Sequence, residues 1–253
     1  MGGTQPHGAA QTRRDLSKGS WGHRGRAEVF ALPNPCRSLT PLAIYHLLPV
    51  ILPMSETGNE ERAFREAIRR FDEANTADPN TVVIDGKPVP YELFYAQRLT
   101  EWVERLSPSA SPALLLAARC QHICRWMIPR HAYPMTRAGY LKWRTDLKQF
   151  HAEKSGEILS QSGCSPDLIA RVQELNLKKN LGQDPELQTL EDALCLVTLQ
   201  YQLTDLVRKT DPDKMVSILQ KTWKKMSTQA REEAVRLPYP EDQEKLLSKA
   251  LSA

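Results

Sequence analysis

Residues 117–151 read AARCQHICRWMIPRHAYPMTRAGYLKWRTDLKQFH, and the rest of the chain can be interpreted outward from this stretch. It finishes one apolar helical run, crosses a connection between Pro129 and Pro134, and starts a second long run at about Thr136. Because proline does not continue a helix interior, two helices joined by a tight connection are predicted. The stretch also holds three histidines, five arginines, two tryptophans and two tyrosines, a density that predicts a functional site.

Apolar residues recur at three- and four-residue spacing from residue 59 onward, as is typical of amphipathic helices. Proline opens several of these runs, at positions 166, 185 and 212. The pattern predicts an all-α fold, a single compact bundle of about seven or eight helices over residues 59–253. In it the third helix spans 113–128 and the sixth spans 184–208. The β-branched stretch 81–90 is the exception, and it predicts an ordered loop or at most a hairpin.

Residues 1–55 are rich in Gly, Pro and Arg without sustained periodicity, which predicts a disordered leader. Two interpretations of the leader stay open. It is either an organelle-targeting extension or an upstream translation that adds nothing to the folded protein, since Met54 resembles an ordinary start.

The charge balance gives no strong sign of nucleic-acid binding. The first 53 residues hold six of the 34 Lys and Arg and two of the 30 Asp and Glu, so the remainder, with 28 of each, is neutral. No apolar run reaches the roughly 20 residues that a membrane-spanning helix needs. Five cysteines without CxxC spacing indicate an intracellular location, the cytoplasm first, with organelle import through residues 1–53 as the alternative.

Three residues on separate predicted helices are candidate catalytic and metal-binding groups: His122, His151 and Asp192. Asp192 lies at the head of an apolar stripe, where a carboxylate needs a cationic partner or a metal. We therefore predict one divalent ion, Mn, Mg, Fe or Zn, shared by these three side chains. In the alternative interpretation, the histidines are hydrogen-bonded core residues and Asp192 forms an ion pair with a nearby arginine.

A small phosphorylated ligand is the predicted partner, because the planar guanidinium group matches phosphate oxygens bidentately. The aromatic side chains are candidates for stacking on the same ligand, although tryptophan at helical spacing is more often part of a core. Lysine pairs at 178–179 and 224–225 are interpreted as solvated faces. The predicted substrate-binding residues are Arg125, Trp126, Arg137, Tyr140 and Arg144.

One histidine on each of two helices, followed by an aspartate on a later helix, resembles the HD-domain phosphohydrolases. That distant resemblance implies an HD-like all-α core whose histidines and aspartates hold metal ions that generate hydroxide. The paired His-Asp of that family reads His151-Ala152 here, so the aspartate ligand is missing.

From about residue 64 to 251 the chain also resembles an uncharacterised domain-of-unknown-function family. Three strings carry this resemblance: residues 117–151 quoted above, LEDALCLVTL and KTWKKMS. Some members are labelled glutamyl-tRNA synthetase, and residues 122–125 and 225–228 faintly resemble the signature motifs of that class. Cys124 replaces the glycine of the first motif, and no alternating strands and helices exist to build a nucleotide-binding sheet, so aminoacyl-tRNA ligase activity is not expected.

Together these features predict a metal-dependent phosphohydrolase, HD-like, acting on a nucleotide or another small phosphoester. The alternative from a different class is a non-catalytic helical module that binds an anionic ligand.

Overall fold

The structure is a computed structural model that describes residues 29–31, 57–179 and 182–252. The predicted disorder of residues 1–55, and both interpretations of that leader, lie outside the described residues except for the short strand β1, Val29–Ala31. The all-α prediction is confirmed, since ten α-helices make up most of the described chain. They are α1 Thr57–Thr76, α2 Tyr91–Leu106, α3 Pro112–Cys120, α4 Arg137–Gln161, α5 Pro166–Leu177, α6 Pro185–Val197, α7 Leu203–Lys209, α8 Pro212–Lys225, α9 Thr228–Val235 and α10 Glu241–Leu251.

A β-hairpin precedes α2, where the sequence favoured an ordered loop. Strands β2, Thr81–Ile84, and β3, Lys87–Pro90, pair antiparallel, and β1 pairs with β2 in parallel. The hairpin turns at Asp85 and Gly86, whose φ angles of 49° and 77° match the type I′ turn that this dipeptide favours. Because β3 leads directly into α2, the hairpin fixes the start of a helix that lines the site described below.

The helix starts predicted at prolines 166, 185 and 212 are confirmed. Each proline occupies the first turn of its helix, directly after a residue whose side chain accepts a hydrogen bond from the backbone of that turn. The capping residues are Ser165, Asp184 and Asp211.

The third helix is shorter than predicted, since α3 ends at Cys120 rather than near residue 128. The chain continues as turns, with Cys124 in the left-handed region at φ 51°, and then as two short 3₁₀ helices, Arg125–Met127 and Arg130–Ala132. The Cys124 amide donates to the side-chain oxygen of buried Asn75, at 3.1 Å. This tertiary hydrogen bond replaces the helical one, which apolar periodicity does not reveal.

Two further differences account for ten helices instead of seven or eight. The predicted helix 184–208 is divided into α6 and α7 by a π-helical segment, Thr198–Gln202. The second difference is α9, a short helix with little amphipathic pattern that was not predicted. Its N-cap is Ser227, whose hydroxyl accepts a hydrogen bond from the Ala230 amide at 3.2 Å.

One hydrophobic core joins the helices, with α2 in contact with α3 and α6, and α4 packed along α5. Its fully buried side chains include Phe71 of α1, Leu99 of α2 and Leu196 of α6. Cys120, Cys124 and Cys195 are buried, as predicted for small hydrophobic groups. Within the described residues, no helix is both long enough and apolar enough to cross a bilayer.

Gly139 in the first turn of α4 is required by a close backbone approach. A Cβ at this position would overlap the carbonyl oxygen of Pro134 in the preceding turn. We expect Gly139→Ala to lower the free energy of unfolding by about 2 kcal/mol in urea denaturation, because the backbone must shift to relieve the overlap. Gly58→Ala in α1, where a Cβ meets no atom within 4 Å, is the matched control and should cause no loss. Equal behaviour of the two variants would contradict this packing.

Candidate functional site

A pocket of about 390 Å³ lies between α2, α4 and α6, next to the turns that follow α3. Side chains from six separate parts of the chain line it, and charged groups are the largest class among them. Five are basic and two are acidic: Arg125, Arg144, Lys148, Lys178 and Lys225, with Glu92 and Glu191. We call this cavity the cationic pocket.

The two carboxyl groups leave most of the positive charge unbalanced. Glu191 forms an ion pair with Lys178, which follows α5 in the left-handed region at φ 58°. Glu92 is 5% exposed, and burial raises its pKa to about 8 despite the opposing charge of Arg125. Glu92 is therefore mostly protonated at pH 7, and the pocket presents an excess of cations to a ligand.

His122 is held in place from three sides. Its ring stacks on Tyr95, with 4.4 Å between centroids, and its Nε2 lies 3.5 Å from Nη1 of Arg125. Because guanidinium only donates, Nε2 must be the acceptor, which places the ring hydrogen on Nδ1, 3.4 Å from Oε2 of Glu92. Burial, and then the positive charge of Arg125, lower the pKa of His122 well below its usual value, so the imidazole is neutral.

His151 of α4 is the second imidazole of the cationic pocket. Its ring centroid lies 5.8 Å from that of His122, and it is only 3% exposed. Burial, followed by the charges of Arg125 and Arg144, lowers the pKa of His151 to about 3. Its Nε2 has no hydrogen-bond partner in the part of the chain that the structure describes, an uncommon situation for a buried nitrogen. The structure thus brings His122, His151, Arg125 and Arg144 together, as the sequence predicted.

The remaining predicted ligand-binding residues do not line the cationic pocket. Arg137 and Tyr140 are exposed at the start of α4, and Trp126 packs against the hydrophobic core, which was its alternative interpretation. Two further arginines of residues 117–151 have structural contacts. Arg119 binds Asp72 through two 2.7 Å hydrogen bonds, and Arg130 donates to the backbone carbonyls of Tyr133 and Pro134.

Asp192 does not join the two histidines. Its Oδ1 accepts hydrogen bonds from the Gln188 side chain and from the Ser227 amide, both at 2.9 Å. The buried carboxylate therefore has hydrogen-bond partners, one of them at the N-cap of α9. Within the described part of the chain, no three His, Cys, Asp or Glu side chains are grouped to hold a metal ion. The structure therefore does not bring His122, His151 and Asp192 together as one ligand set, and metal binding by these residues stays a prediction.

We expect Asp192→Ala to act on stability alone. Removing the carboxylate leaves the Ser227 amide without its partner and lowers the free energy of unfolding by about 2 kcal/mol, measured by urea denaturation. Phosphate-ester affinity, measured by calorimetry, should not change. Asp213→Ala, at a highly exposed position of α8, is the control and should leave stability nearly unaltered. Lost binding with intact stability in the Asp192 variant would contradict the structural role.

The π-helical segment contributes two polar side chains to the cationic pocket, Thr198 and Gln202. The Gln202 side-chain nitrogen donates to the Tyr91 hydroxyl at 2.6 Å, connecting this segment to the start of α2. Single π-helical turns within α-helices are frequent at functional sites. Here the segment begins at Thr198 and ends at Gln202, and both residues line the pocket.

Sequence reasoning missed several lining residues. Lys178 and Lys225 were interpreted as parts of solvated faces, yet both reach the cationic pocket. Glu92 and Gln121 were not considered, because a single buried polar residue within an apolar pattern gives little signal. One clue to Glu92 was available in the sequence. Glu92 follows the Pro-containing strand and lies in the first turn of α2, directly before buried residues of the same helix.

Comparison with known proteins gives one match. The model of the family described as Domain of unknown function (DUF4202) matches residues 65–247, which is well over half of the chain. The chain belongs to this family. The DUF4202 match confirms the resemblance to an uncharacterised family, whereas the distant resemblance to HD-domain phosphohydrolases stays a prediction. No curated protein and no solved structure matches the chain.

Proposed function

We propose that this chain binds a small phosphate-bearing molecule in the cationic pocket. The observation that supports this most strongly is the convergence of five basic side chains on one concave site that also holds two neutral imidazoles. Guanidinium and ammonium groups donate strong, charge-assisted hydrogen bonds to phosphate oxygens. A phosphate ester provides several such oxygens on one compact centre.

The directions from which the basic groups arrive favour phosphate over a planar carboxylate. Arg144 and Lys148 come from α4, Arg125 comes from the turns after α3, and Lys178 and Lys225 follow or end α5 and α8. Donors on different sides suit a tetrahedral anion. The cavity volume of about 390 Å³ is within the usual range for small-molecule sites.

Hydrolysis of the bound ester is a second candidate function, supported by the protonated Glu92. An acid with a pKa near working pH is suited to donate its proton to a leaving oxygen. In this reaction, water attacks phosphorus, the ester P–O bond breaks, and the leaving oxygen takes the Glu92 proton. The proton released by water returns to Glu92, which gives an alcohol and inorganic phosphate. This route uses no metal.

Isothermal titration calorimetry of the full chain with inorganic phosphate and glycerol 3-phosphate tests the binding proposal. We expect one saturable site whose affinity falls with added salt, and no binding of glycerol. If neither phosphate compound binds at a concentration of about 10 mM, the binding proposal is contradicted.

Phosphate release tests the second candidate, and it is measured with and without added Mn²⁺. Turnover without metal supports proton transfer by Glu92. Turnover that requires Mn²⁺ would instead support the metal-dependent hydrolase predicted from the sequence, and binding without turnover would leave the non-catalytic module.

A further inference from the structure

Within the described residues, three buried side-chain atoms without hydrogen-bond partners belong to residues that line the cationic pocket. They are Oε1 of Gln121, Nε2 of His151 and Oε2 of Glu92, on side chains that are 4%, 3% and 5% exposed. The Glu92 oxygen lies 3.4 Å from Nδ1 of His122, but the two atoms do not form a hydrogen bond. In native proteins the great majority of buried polar atoms have a hydrogen-bond partner. Several atoms without one around a single cavity therefore indicate that a ligand forms hydrogen bonds with them.

These atoms suit neutral partners rather than ions. Burial keeps the pKa of Glu92 at about 8 and that of His151 at about 3, so both groups are uncharged near neutral pH, as is the Gln121 amide. Uncharged oxygen and nitrogen atoms exchange hydrogen bonds readily with hydroxyl groups, which act both as donors and as acceptors. The pocket thus combines cations for an anionic group with neutral groups for hydroxyls.

The ring systems of the pocket already pack on one another. Tyr91 lies against Tyr95 with centroids 6.4 Å apart, Tyr95 stacks on His122, and His122 lies against His151. The face of Trp143, just outside, is covered by the Arg125 guanidinium at 5.0 Å. Among the described lining residues, only Leu147, Leu194 and Cys195 supply non-aromatic apolar contact. A nucleobase is usually bound by an open aromatic face or an apolar slot, and the pocket favours neither.

We propose that the ligand is a phosphorylated sugar or polyol rather than a nucleotide. Its hydroxyl groups form hydrogen bonds with Glu92, Gln121 and His151. This inference rests on the proposed phosphate-binding function and narrows the substrate class. The cationic side chains bind the phosphate, and the neutral groups distinguish a polyol from other phosphate esters.

A calorimetric panel on the full chain tests this proposal with inorganic phosphate, ribose 5-phosphate, glucose 6-phosphate, AMP and UMP. At least one sugar phosphate should bind about tenfold more tightly than inorganic phosphate and than either nucleotide. Nucleotides binding as tightly as the sugar phosphates, or sugar phosphates no tighter than inorganic phosphate, would overturn the proposal and leave phosphate binding intact. If no compound binds, the proposed function fails as well.

Gln121→Leu provides the matching variant. It removes the amide from a site where its oxygen has no partner, so the fold should tolerate the change. The ratio of sugar-phosphate to inorganic-phosphate affinity should fall about tenfold. Gln149→Leu, at an exposed position of α4 outside the pocket, is the control and should keep the wild-type ratio. An unchanged ratio in a folded Gln121 variant, checked by its cooperative thermal unfolding, would overturn the proposal.

Discussion

Replacing Arg144 with methionine is expected to weaken phosphate-ester binding by roughly 10- to 100-fold, as a lost charge-assisted hydrogen bond predicts. Arg144 lies in the middle of α4 and lines the cationic pocket, and its charge lowers the pKa of both histidines. It therefore faces the position at which we place the anion. Methionine keeps most of the length of the side chain and removes only its donors and charge. Calorimetric titration with a phosphate ester measures the effect.

Arg137→Met is the matched control for this variant. Arg137 belongs to the same helix, was predicted to bind the same ligand, and is exposed outside the pocket. We expect its substitution to leave affinity within about twofold, since only long-range, screened attraction is lost. Equal losses for the two variants would show that overall charge, and not the pocket, binds the ligand.

Glu92→Gln is expected to become increasingly more stable than the wild type as pH rises from about 5 to 8. The folded protein keeps Glu92 protonated up to its raised pKa of about 8, whereas the unfolded chain releases the proton near 4.5. The stabilisation that this carboxyl group contributes to the folded state is fully present below pH 4.5 and is lost as the pH rises to about 8. The difference in free energy of unfolding should grow by roughly 1 kcal/mol per pH unit in this window.

Urea unfolding at several pH values measures this difference. Protonation of the two histidines in the unfolded chain is common to both proteins and cancels in the comparison. Glu153→Gln, at an exposed position of α4, should follow the wild-type pH profile. A difference that stays constant from pH 5 to 8 would mean that Glu92 is ionised in the folded protein and is not the proposed proton donor.

Local chemistry explains which parts of the fold were predictable. Prolines 166, 185 and 212 after a capping side chain mark helix starts by local geometry alone, and the structure confirms them. The early end of α3 depends on a hydrogen bond from Cys124 to Asn75, which is distant along the chain. The π-helical segment 198–202 likewise preserves the apolar pattern while changing the direction of the residues that follow. Neither feature leaves a signature in helical periodicity.

The same distinction applies to the site. His122, Arg125, Arg144 and His151 were predicted because they lie in one stretch dense in polar side chains, and the structure brings them together. The inward carboxylate of Asp192 was expected to need a cation, whereas in the structure its Oδ1 accepts hydrogen bonds from two donors. Lys178 and Lys225 reach the pocket from the ends of α5 and α8, and sequence spacing alone does not show that these helix ends meet there.

Nuclear magnetic resonance of the histidine side chains tests the central claim most directly. The imidazole nitrogen signals of His122, His151 and exposed His131 are followed while inorganic phosphate is added to the full chain. Both buried imidazoles are neutral at pH 7, because burial lowers the pKa of each. We predict that the His122 and His151 signals shift together with one dissociation constant while the His131 signals stay constant. Unchanged His122 and His151 signals in the presence of bound phosphate would contradict the assignment of this pocket as the anion site.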